Sequence, residues 1–519
     1  MSPSAISVPI VGEESLERSL NNGSYSLNGH SVNGAVQPPL KEAVSGTQKP
    51  QSFLESPNDD DLLDFICVGF GPASLSIAVA LHDSLEEQFK VEGRSASPKV
   101  LFLEKQNQFR WHGGMLIEGA KMQISFLKDM ATFRNPKSDF TFLNYLHQND
   151  RLVQFANLST FLPLRIEYDD YMRWCAQKFD HVVRYGQEVI QIAPEKQVSV
   201  ANGPVQVFEV ASRDLRTGTQ TVHRARNVVI AVGGQPQIPA PFPNSNPRVI
   251  HSSQYAYMPA KLRQKGGTYN HIAVVGSGQS AAEIFEDIQS QHLDSKVSMI
   301  MRDSALRPSD DSPFVNEVFD PESTHAFFSQ PPCGRAQTLA RNHNTNYSVV
   351  RPGLIDRIYE SLYAQRLVYG SDTNSWRTRI LPSRQVLSAE PIHNGIKLRI
   401  APEKSGSNGV DVQHADGTEL DVDLLILATG YSRTLHRDLL SPCKSLLSSP
   451  DKESGKFPVR RNYSVAFEPG TVAEESSGIW LQGCCEQSHG LSDSLLSVLA
   501  VRGGEMVESM FGKKMEKLG

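Results

Sequence analysis

The first sustained apolar run starts at Leu62. Leu62 to Val68 is hydrophobic except for Asp64, the pattern of a short strand covered on both faces. A glycine turn follows, and Ser74 to Leu85 has helical spacing. Val100 to Leu103 is the next predicted strand and ends on Glu104; Glu87 to Lys99 is expected to be a loop insertion between them. Asn227 to Val232 is another apolar strand, closed by Gly233-Gly234. His271 to Val275 repeats the opening theme, with a second glycine turn and a helix over Ala281 to Gln291. Val297 to Met301 is the strand after that helix, and Leu424 to Ala428 is a late buried strand. Ser494 to Met510 reads as a terminal helix interrupted at Gly503-Gly504. Strands alternating with helices predict an α/β architecture with parallel sheets. Residues 1–60 are rich in Ser, Asn, Gly and Pro and carry few large apolar side chains. Such a segment buries too little surface to offset its ordering entropy, so a disordered tail is expected there.

The two glycine turns carry the first chemical signal. Gly69-Phe70-Gly71-Pro72-Ala73-Ser74 has the form G-x-G-x-x-S, after a strand and at the start of a helix. Its first glycine permits a tight turn, and its second lets the backbone approach a pyrophosphate at the helix N-terminus. Glu104 stands at the end of the next strand, where an acid accepts hydrogen bonds from a ribose. Gly276-Ser277-Gly278-Gln279-Ser280-Ala281 has the form G-x-G-x-x-A in the same context. The residue after its next strand is Arg302, a cation suited to a 2′-phosphate, so NADPH is expected over NADH. Two dinucleotide sites in one chain imply a flavin enzyme reduced by a nicotinamide.

Composition narrows the class. The chain has 519 residues, 39% of them hydrophobic, and a formal charge of -6. That length is too great for one core and the charge gives no reason to expect nucleic acid or an anionic membrane as partner. Residues 1–20 lack the basic start and apolar run of a secretory signal, and the glycines after Val68 break the only early apolar stretch. A cytoplasmic protein is expected. The six cysteines, Cys67, Cys175, Cys333, Cys443, Cys484 and Cys485, include no Cys-x-x-Cys pair, so neither a metal site nor a disulfide scaffold is expected. Flavin disulfide reductases need a redox cysteine pair of that kind. Without one, dioxygen becomes the leading electron acceptor.

Longer segments resemble a known family. Ala428-Thr429-Gly430 resembles the linker motif of flavin monooxygenases, and His251-x-x-x-Tyr255 is a fragment of a fingerprint of that group. Met122 to Asp129 (MQISFLKD), Asp311 to Glu317 (DSPFVNE), Thr345 to Val350 (TNYSVV) and His489 to Ser497 (HGLSDSLLS) resemble fungal L-ornithine N5-monooxygenases, in the family's order. These enzymes hydroxylate ornithine on the way to hydroxamate siderophores. The resemblance implies two Rossmann-like dinucleotide-binding domains, an FAD domain interrupted by an NADPH domain, with the substrate pocket at their interface. The implied boundaries are 61–240 and 416–512 for FAD and 241–415 for NADPH, with 303–360 contributing to the ornithine site and 513–519 as a tail.

The resemblance also assigns residues. FAD falls to Gly69, Gly71, Ser74, the run Glu104, Lys105, Gln106, Asn107, Gln108, Phe109, Arg110, Trp111 and His112, then Gln123, Val189, Ser494, Leu495 and Leu496. A helix N-terminus near Ser494 would favour the charge of a reduced flavin. NADPH falls to Ser277, Gly278, Gln279, Ser280, Arg302 and Asn316, and L-ornithine to Lys128, Asn316, Asn346 and Ser497. A lysine suits the amino-acid carboxylate, and asparagines both donate and accept beside a zwitterion. No protein nucleophile is needed, and His112 and His489 are given no role as base. A homotetramer is what the family implies. Lysine N6-hydroxylation, an NADPH oxidase without hydroxylation, and a flavin-binding module without activity stay open on the residues alone.

Overall fold

The computed structural model describes residues 52–58, 60–93, 97–195, 203–243, 245–257, 269–291, 294–403 and 417–516. Most of the expected N-terminal tail, and residues 517–519 of the C-terminal one, lie outside the described residues.

The first sheet contains β1 (Leu62–Val68), β2 (Val100–Glu104), β3 (Val183–Tyr185), β4 (Gln187–Pro194), β5 (Phe208–Asp214) and β6 (Gln220–Ile230). Its order is β3-β2-β1-β6-β5-β4. β6 is long enough to take two partners along one edge. Its first half pairs antiparallel with β5, and Asn227–Ile230 pairs in parallel with the returning strand Gly478–Leu481. β1 is central and covered on both faces, and Phe65, Ile66 and Cys67 are fully buried.

Helix α1 (Pro72–Glu92) opens directly from the first turn. Its apolar residues continue past Leu85, so the expected loop over Glu87 to Lys99 begins as helix and turns only at Gly93, whose φ is 71°.

The second sheet contains β7 (Val249–His251), β8 (His271–Val275), β9 (Lys296–Ile300), β10 (Thr378–Leu381) and β11 (Leu424–Leu427), in the order β10-β9-β8-β11-β7. All its pairings are parallel. Helix α2 (Gln279–Gln291) follows the second turn. Helices α3 (Pro332–Asn346) and α4 (Pro352–Tyr369) lie between β9 and β10 in the chain. A three-stranded antiparallel layer, 384–402 with 418–422, packs Ile396, Leu398 and Ile400 against Leu425 and Leu427.

Three expectations are corrected here. β11, placed by the sequence reading in the second part of the FAD domain from 416, instead pairs with β7 and β8. The chain therefore crosses back at Ala428-Thr429-Gly430, because an apolar strand joins whichever sheet offers it an open edge. The terminal helix α5 is Leu499–Glu516 and runs unbroken through Gly503-Gly504. Those glycines serve contact, not interruption: a Cβ on Gly503 would stand 2.6 Å from the Ser76 carbonyl oxygen of α1. Finally, Ser52–Asn58 are docked rather than tail-like. Leu54 is buried, the Phe53 ring lies 5.2 Å from His82 and 5.7 Å from Phe89, and His181 Nε2 lies 2.9 Å from the Leu54 carbonyl. Among the described residues no helix is long and apolar enough to cross a membrane, and no group of side chains is arranged to hold a metal ion.

Candidate active site

Both glycine turns sit at the carboxyl ends of parallel strands, where open α/β sheets bind ligands. They close in the same way. Gly69 has φ 93° and a Cβ there would lie 2.6 Å from the Ala231 carbonyl oxygen; Gly276 has φ 143° and a Cβ would lie 2.6 Å from that of Ala428. Only glycine fits either place. Gly71 differs. A Cβ added to it meets nothing within 4 Å, so the backbone faces open space. It caps α1 without a side-chain hydrogen bond, and the first turn of α1 holds no acid. Unpaired N–H groups facing an open cradle fit a pyrophosphate.

The other residues implied for FAD line up around that cradle. Glu104 is buried and accepts from the Phe70 N–H at 2.6 Å and the Gln106 N–H at 2.7 Å, so its carboxylate is tied to the turn. Ser74 is fully buried and its hydroxyl donates to the Gly69 carbonyl at 2.6 Å. Its side chain thus shapes the turn from within and does not face the cradle. Lys105 pairs with Glu188 next to Val189 on β4, and Gln106, Asn107 and Gln108 are exposed. Phe109 is buried against Phe70, and Arg110 lies over the Tyr257 ring at 5.4 Å. Trp111 and His112 are 5.4 Å apart between ring centres, and His112 is 5.8 Å from Tyr431. His112 is exposed as a residue, while desolvation of its ring, with the Arg165 and Arg433 charges, pushes its pKa down to about 4. It is neutral at pH 7. Gln123 is exposed. Ser494 ends one short 3-10 turn, Leu491–Ser494, Leu496 opens another, Leu496–Val498, and Leu495 lies between them; none of the three is at the start of α5. The expected helix N-terminus at Ser494 is corrected on this point, because the extended Leu495 separates the two turns.

Around the second turn, the Ser277 hydroxyl donates to Asp303 at 2.6 Å and Gly278 packs on Ser348. Gln279 spans two elements: its amide donates to Glu283 at 2.8 Å and its carbonyl accepts from the Arg351 N–H at 2.9 Å. Ser280 is half-buried in the first turn of α2, which holds no acid. Arg302 follows β9, is exposed, and has no ion-pair partner among the described residues. An unengaged guanidinium at that place fits a 2′-phosphate.

The residues implied for ornithine come from four parts of the chain. The Lys128 carbonyl accepts from the Tyr168 hydroxyl at 2.9 Å, which fixes its backbone, and its ammonium reaches to 4.0 Å from Asp320. Asn316, four positions before Asp320, ends the short helix Pro313–Asn316 and donates to the Asp311 carbonyl at 2.9 Å. Asn346 is the last residue of α3. A small core of Phe327, Leu339 and Leu491, flanked by Val318, Phe319 and Tyr347, seats this helical insert on the stretch that leads to Ser497. Ser497 is 4% exposed, and its hydroxyl has no hydrogen-bond partner among the described residues. A buried polar atom left unpaired is costly, which fits a hydroxyl completed by a ligand.

Several residues that join these parts were missed from sequence. Arg351 meets the Met122 carbonyl at 3.3 Å, the Asp311 carboxylate at 3.8 Å and, through its N–H, Gln279. Arg165 grips Glu283 of α2 through two hydrogen bonds, 2.8 and 2.7 Å, and both side chains are nearly buried. The Tyr347 hydroxyl donates to Glu486. These are contacts between distant segments and leave no local signal. His251 is different. Its Nε2 lies 3.0 Å from the Gly430 carbonyl and its ring 5.0 Å from Tyr431, and Tyr255 donates to Asp287, so the fingerprint fragment secures the crossing between the sheets. His489 is buried, stacked 4.0 Å from Tyr463 and bonded to the Arg461 carbonyl, and burial pushes its pKa down to about 4.

Comparison with known proteins places this arrangement. An L-ornithine N(5)-monooxygenase of Cochliobolus heterostrophus is 50% identical over 513 residues, covering 95% of this chain and 96% of its own. The solved ornithine hydroxylase of Pseudomonas aeruginosa superposes with a TM-score of 0.74 at 38% identity, covering 87% of this chain and 99% of its own. The ornithine N-hydroxylase of Kutzneria sp. 744, solved with reduced FAD, NADP+ and L-ornithine, gives a TM-score of 0.74 at 34% identity, covering 88% and 100%. The family model described as L-lysine 6-monooxygenase/L-ornithine 5-monooxygenase matches residues 61–433, from just before β1 to just past the crossing at Gly430. With two glycine turns, the helical insert between them and relatives matched over nearly their whole length, the chain belongs to the L-lysine 6-monooxygenase/L-ornithine 5-monooxygenase family.

Proposed function

We propose that this chain uses FAD, NADPH and dioxygen to hydroxylate the side-chain amine of L-ornithine, giving N5-hydroxy-L-ornithine for hydroxamate siderophore biosynthesis. The observation that carries the reading is the buried, unpaired Ser497 hydroxyl on the stretch packed against the insert that bears Asn316 and Asn346. Choice of ornithine over lysine is supported by the names of the relatives, since one methylene changes discrimination by only ~1–3 kcal/mol.

FAD, when bound, supplies the chemistry of dioxygen activation. The chain supplies position and charge. Gly71 and the first turn of α1 would offer N–H groups to its pyrophosphate, and Ser494 to Leu496 would contact its ring. Arg302 and the turn at Ser277 to Ser280 hold NADPH. Lys128 takes the carboxylate of ornithine, and Asn316, Asn346 and Ser497 orient its polar atoms, so that the amine points at the flavin. Desolvation pushes the His112 and His489 rings below the ordinary histidine range, and neither is given a role as base.

The same reading includes a cytoplasmic homotetramer. Free cysteines throughout support the compartment. Tyr359, Tyr363 and Leu367 support self-association, since they repeat every four residues on α4 with exposures of 70, 54 and 69%. The test of the activity is product analysis after incubation with FAD, NADPH, oxygen and either ornithine or lysine. An N-hydroxylated product from ornithine supports the proposal. Peroxide alone, or turnover only with lysine, overturns it.

A further inference from the structure

A buried ion pair ties the stretch that bears Ser497 to the first glycine turn. Asp493 and Arg502 are 1% and 2% exposed and stand nine positions apart. Asp493 directly precedes Ser494, and Arg502 lies in the first turn of α5. One guanidinium nitrogen donates both to the Asp493 carbonyl and to its carboxylate, the latter at 3.0 Å. The other carboxylate oxygen accepts from the Cys485 N–H at 2.6 Å. Gln482, also buried, directly follows the returning strand Gly478–Leu481. Its amide oxygen accepts from Arg502 Nε at 3.2 Å, and its amide nitrogen donates to the Ala73 carbonyl at 3.0 Å. Ala73 belongs to the glycine turn and to the first turn of α1. The Gln482 N–H is itself fixed on the Ile230 carbonyl at 3.0 Å, at the end of β6.

We propose that Asp493 and Arg502, with Gln482, are positioning residues for hydroxylation: they clasp residues 493–502 into one geometry and register that stretch on the glycine turn at Ala73. Within the clasp lie Ser494 to Leu496 and the unpaired hydroxyl of Ser497. Burying two charges carries a desolvation penalty that their attraction repays only with good geometry, so apolar side chains in their place are often as stable. What the pair adds is direction, since a planar guanidinium fork matches one arrangement of acceptors. The turns it spans lack other means of fixing themselves. They are 3-10 turns of four and three residues, neither with a side-chain cap, and Leu495 stands extended between them. Hydrogen bonds in such turns have poor geometry. A displacement of ~1 Å at a reacting centre can lower a rate ~100-fold. The hydrogen bonds of the three residues run to one another, Cys485, Ala73 and Ile230, and not to the second glycine turn. Loosening the clasp therefore misaligns the amine and the flavin more than it disturbs NADPH.

The role in hydroxylation rests on the proposed placement of Ser494 to Leu496 at the flavin ring and of Ser497 at ornithine; the clasp itself does not. The FAD-loaded full chain carrying Asp493→Asn or Arg502→Lys is compared with Glu505→Ala, which removes a different, partly exposed ion pair of α5 with Arg461. Asparagine keeps an acceptor for the Cys485 N–H without the charge, and lysine keeps the charge without the fork. Per bound flavin, both should leave reduction by NADPH nearly unchanged. The share of NADPH that ends in hydroxylated ornithine should fall several-fold and the share that ends in peroxide should rise. Arg502→Lys should retain more coupling than Arg502→Met, and Glu505→Ala should couple as the unaltered chain does. A merely structural pair would lower the denaturation midpoint and the flavin content and leave coupling per bound flavin intact; that result overturns the proposal. Hydrogen exchange on the unaltered FAD-loaded chain requires no variant to fold. The amides of 494–498 should exchange as slowly as the buried amides of α5, and exchange at the rate of an exposed loop overturns the clasp. If the unaltered chain makes no hydroxylated ornithine, the functional reading fails while the exchange result still decides the clasp.

Discussion

The Lys128 ammonium stands 4.0 Å from the Asp320 carboxylate, linking the strip after Met122 to the helical insert. Asp320 is partly exposed, and ion pairs of this kind contribute only ~0–1 kcal/mol. A substrate carboxylate can therefore replace Asp320 at Lys128 with little loss. Lys128→Ala should leave NADPH-dependent flavin reduction nearly unchanged, raise the ornithine Michaelis constant and divert reducing equivalents to peroxide. Loss of a charge-assisted contact of ~1.5–3 kcal/mol lowers ornithine specificity roughly tenfold to over a hundredfold. Stopped-flow reduction beside a hydroxylamine assay checks it, and loss of reduction together with hydroxylation would move Lys128 out of the ornithine site.

Arg302 bears on the choice of nicotinamide. Arg302→Ala should raise the Michaelis constant for NADPH by roughly tenfold or more and that for NADH little, because only NADPH carries a 2′-phosphate for the guanidinium. Steady-state kinetics with both nucleotides decide this, and equal effects would reject the assignment.

Among the described residues, Phe53 and Leu54 are the first apolar side chains that join the core. A chain starting at Ser52 should fold, bind FAD and turn over. One starting at Asp60 lacks Leu54 from the core and Phe53 from its place between His82 and Phe89. It should lose ~2–4 kcal/mol, by analogy with large-to-small core substitutions. Urea unfolding of the two chains measures the difference; equal midpoints would show that Ser52–Asn58 contribute nothing.

His489 gives the stability a pH dependence with a defined sign. Its folded pKa is about 4 against an ordinary value of 6.5, because burial disfavours the charged ring. The unfolded chain therefore takes up the proton first. The contribution is fully present above the unfolded pKa and is lost as pH falls through the window from 6.5 toward 4. His271, also lowered to about 4, acts in the same window. His489→Gln should flatten part of the acid loss of stability, read as denaturation midpoints at neutral pH and inside the window. An unchanged slope would mean that His489 is not buried as a neutral ring.

Local chemistry made the two nucleotide turns legible in the sequence. Gly69 and Gly276 are required by positive φ and by a carbonyl oxygen that would stand 2.6 Å from any Cβ, and a strand before and a helix after frame them within a few residues. The exposed place of Arg302 past β9 was legible for the same reason, since it is counted from the end of that strand. Packing between distant segments decided the rest. Leu424 to Leu427 read correctly as a buried strand, but apolar runs do not name their sheet, and only the open edges beside β8 and β7 assigned it. Gly503-Gly504 read as a break because glycine weakens a helix, whereas contact with Ser76 of α1 required it. Ser52–Asn58 read as tail because two apolar side chains are too few to make a core; they join one that β1, α1 and the 177–182 turn have already built. Arg351, Glu283 and Asp320 left no trace in the sequence, because a hydrogen bond across 72 to 229 positions depends on where folding brings its two ends and not on the residues beside either of them.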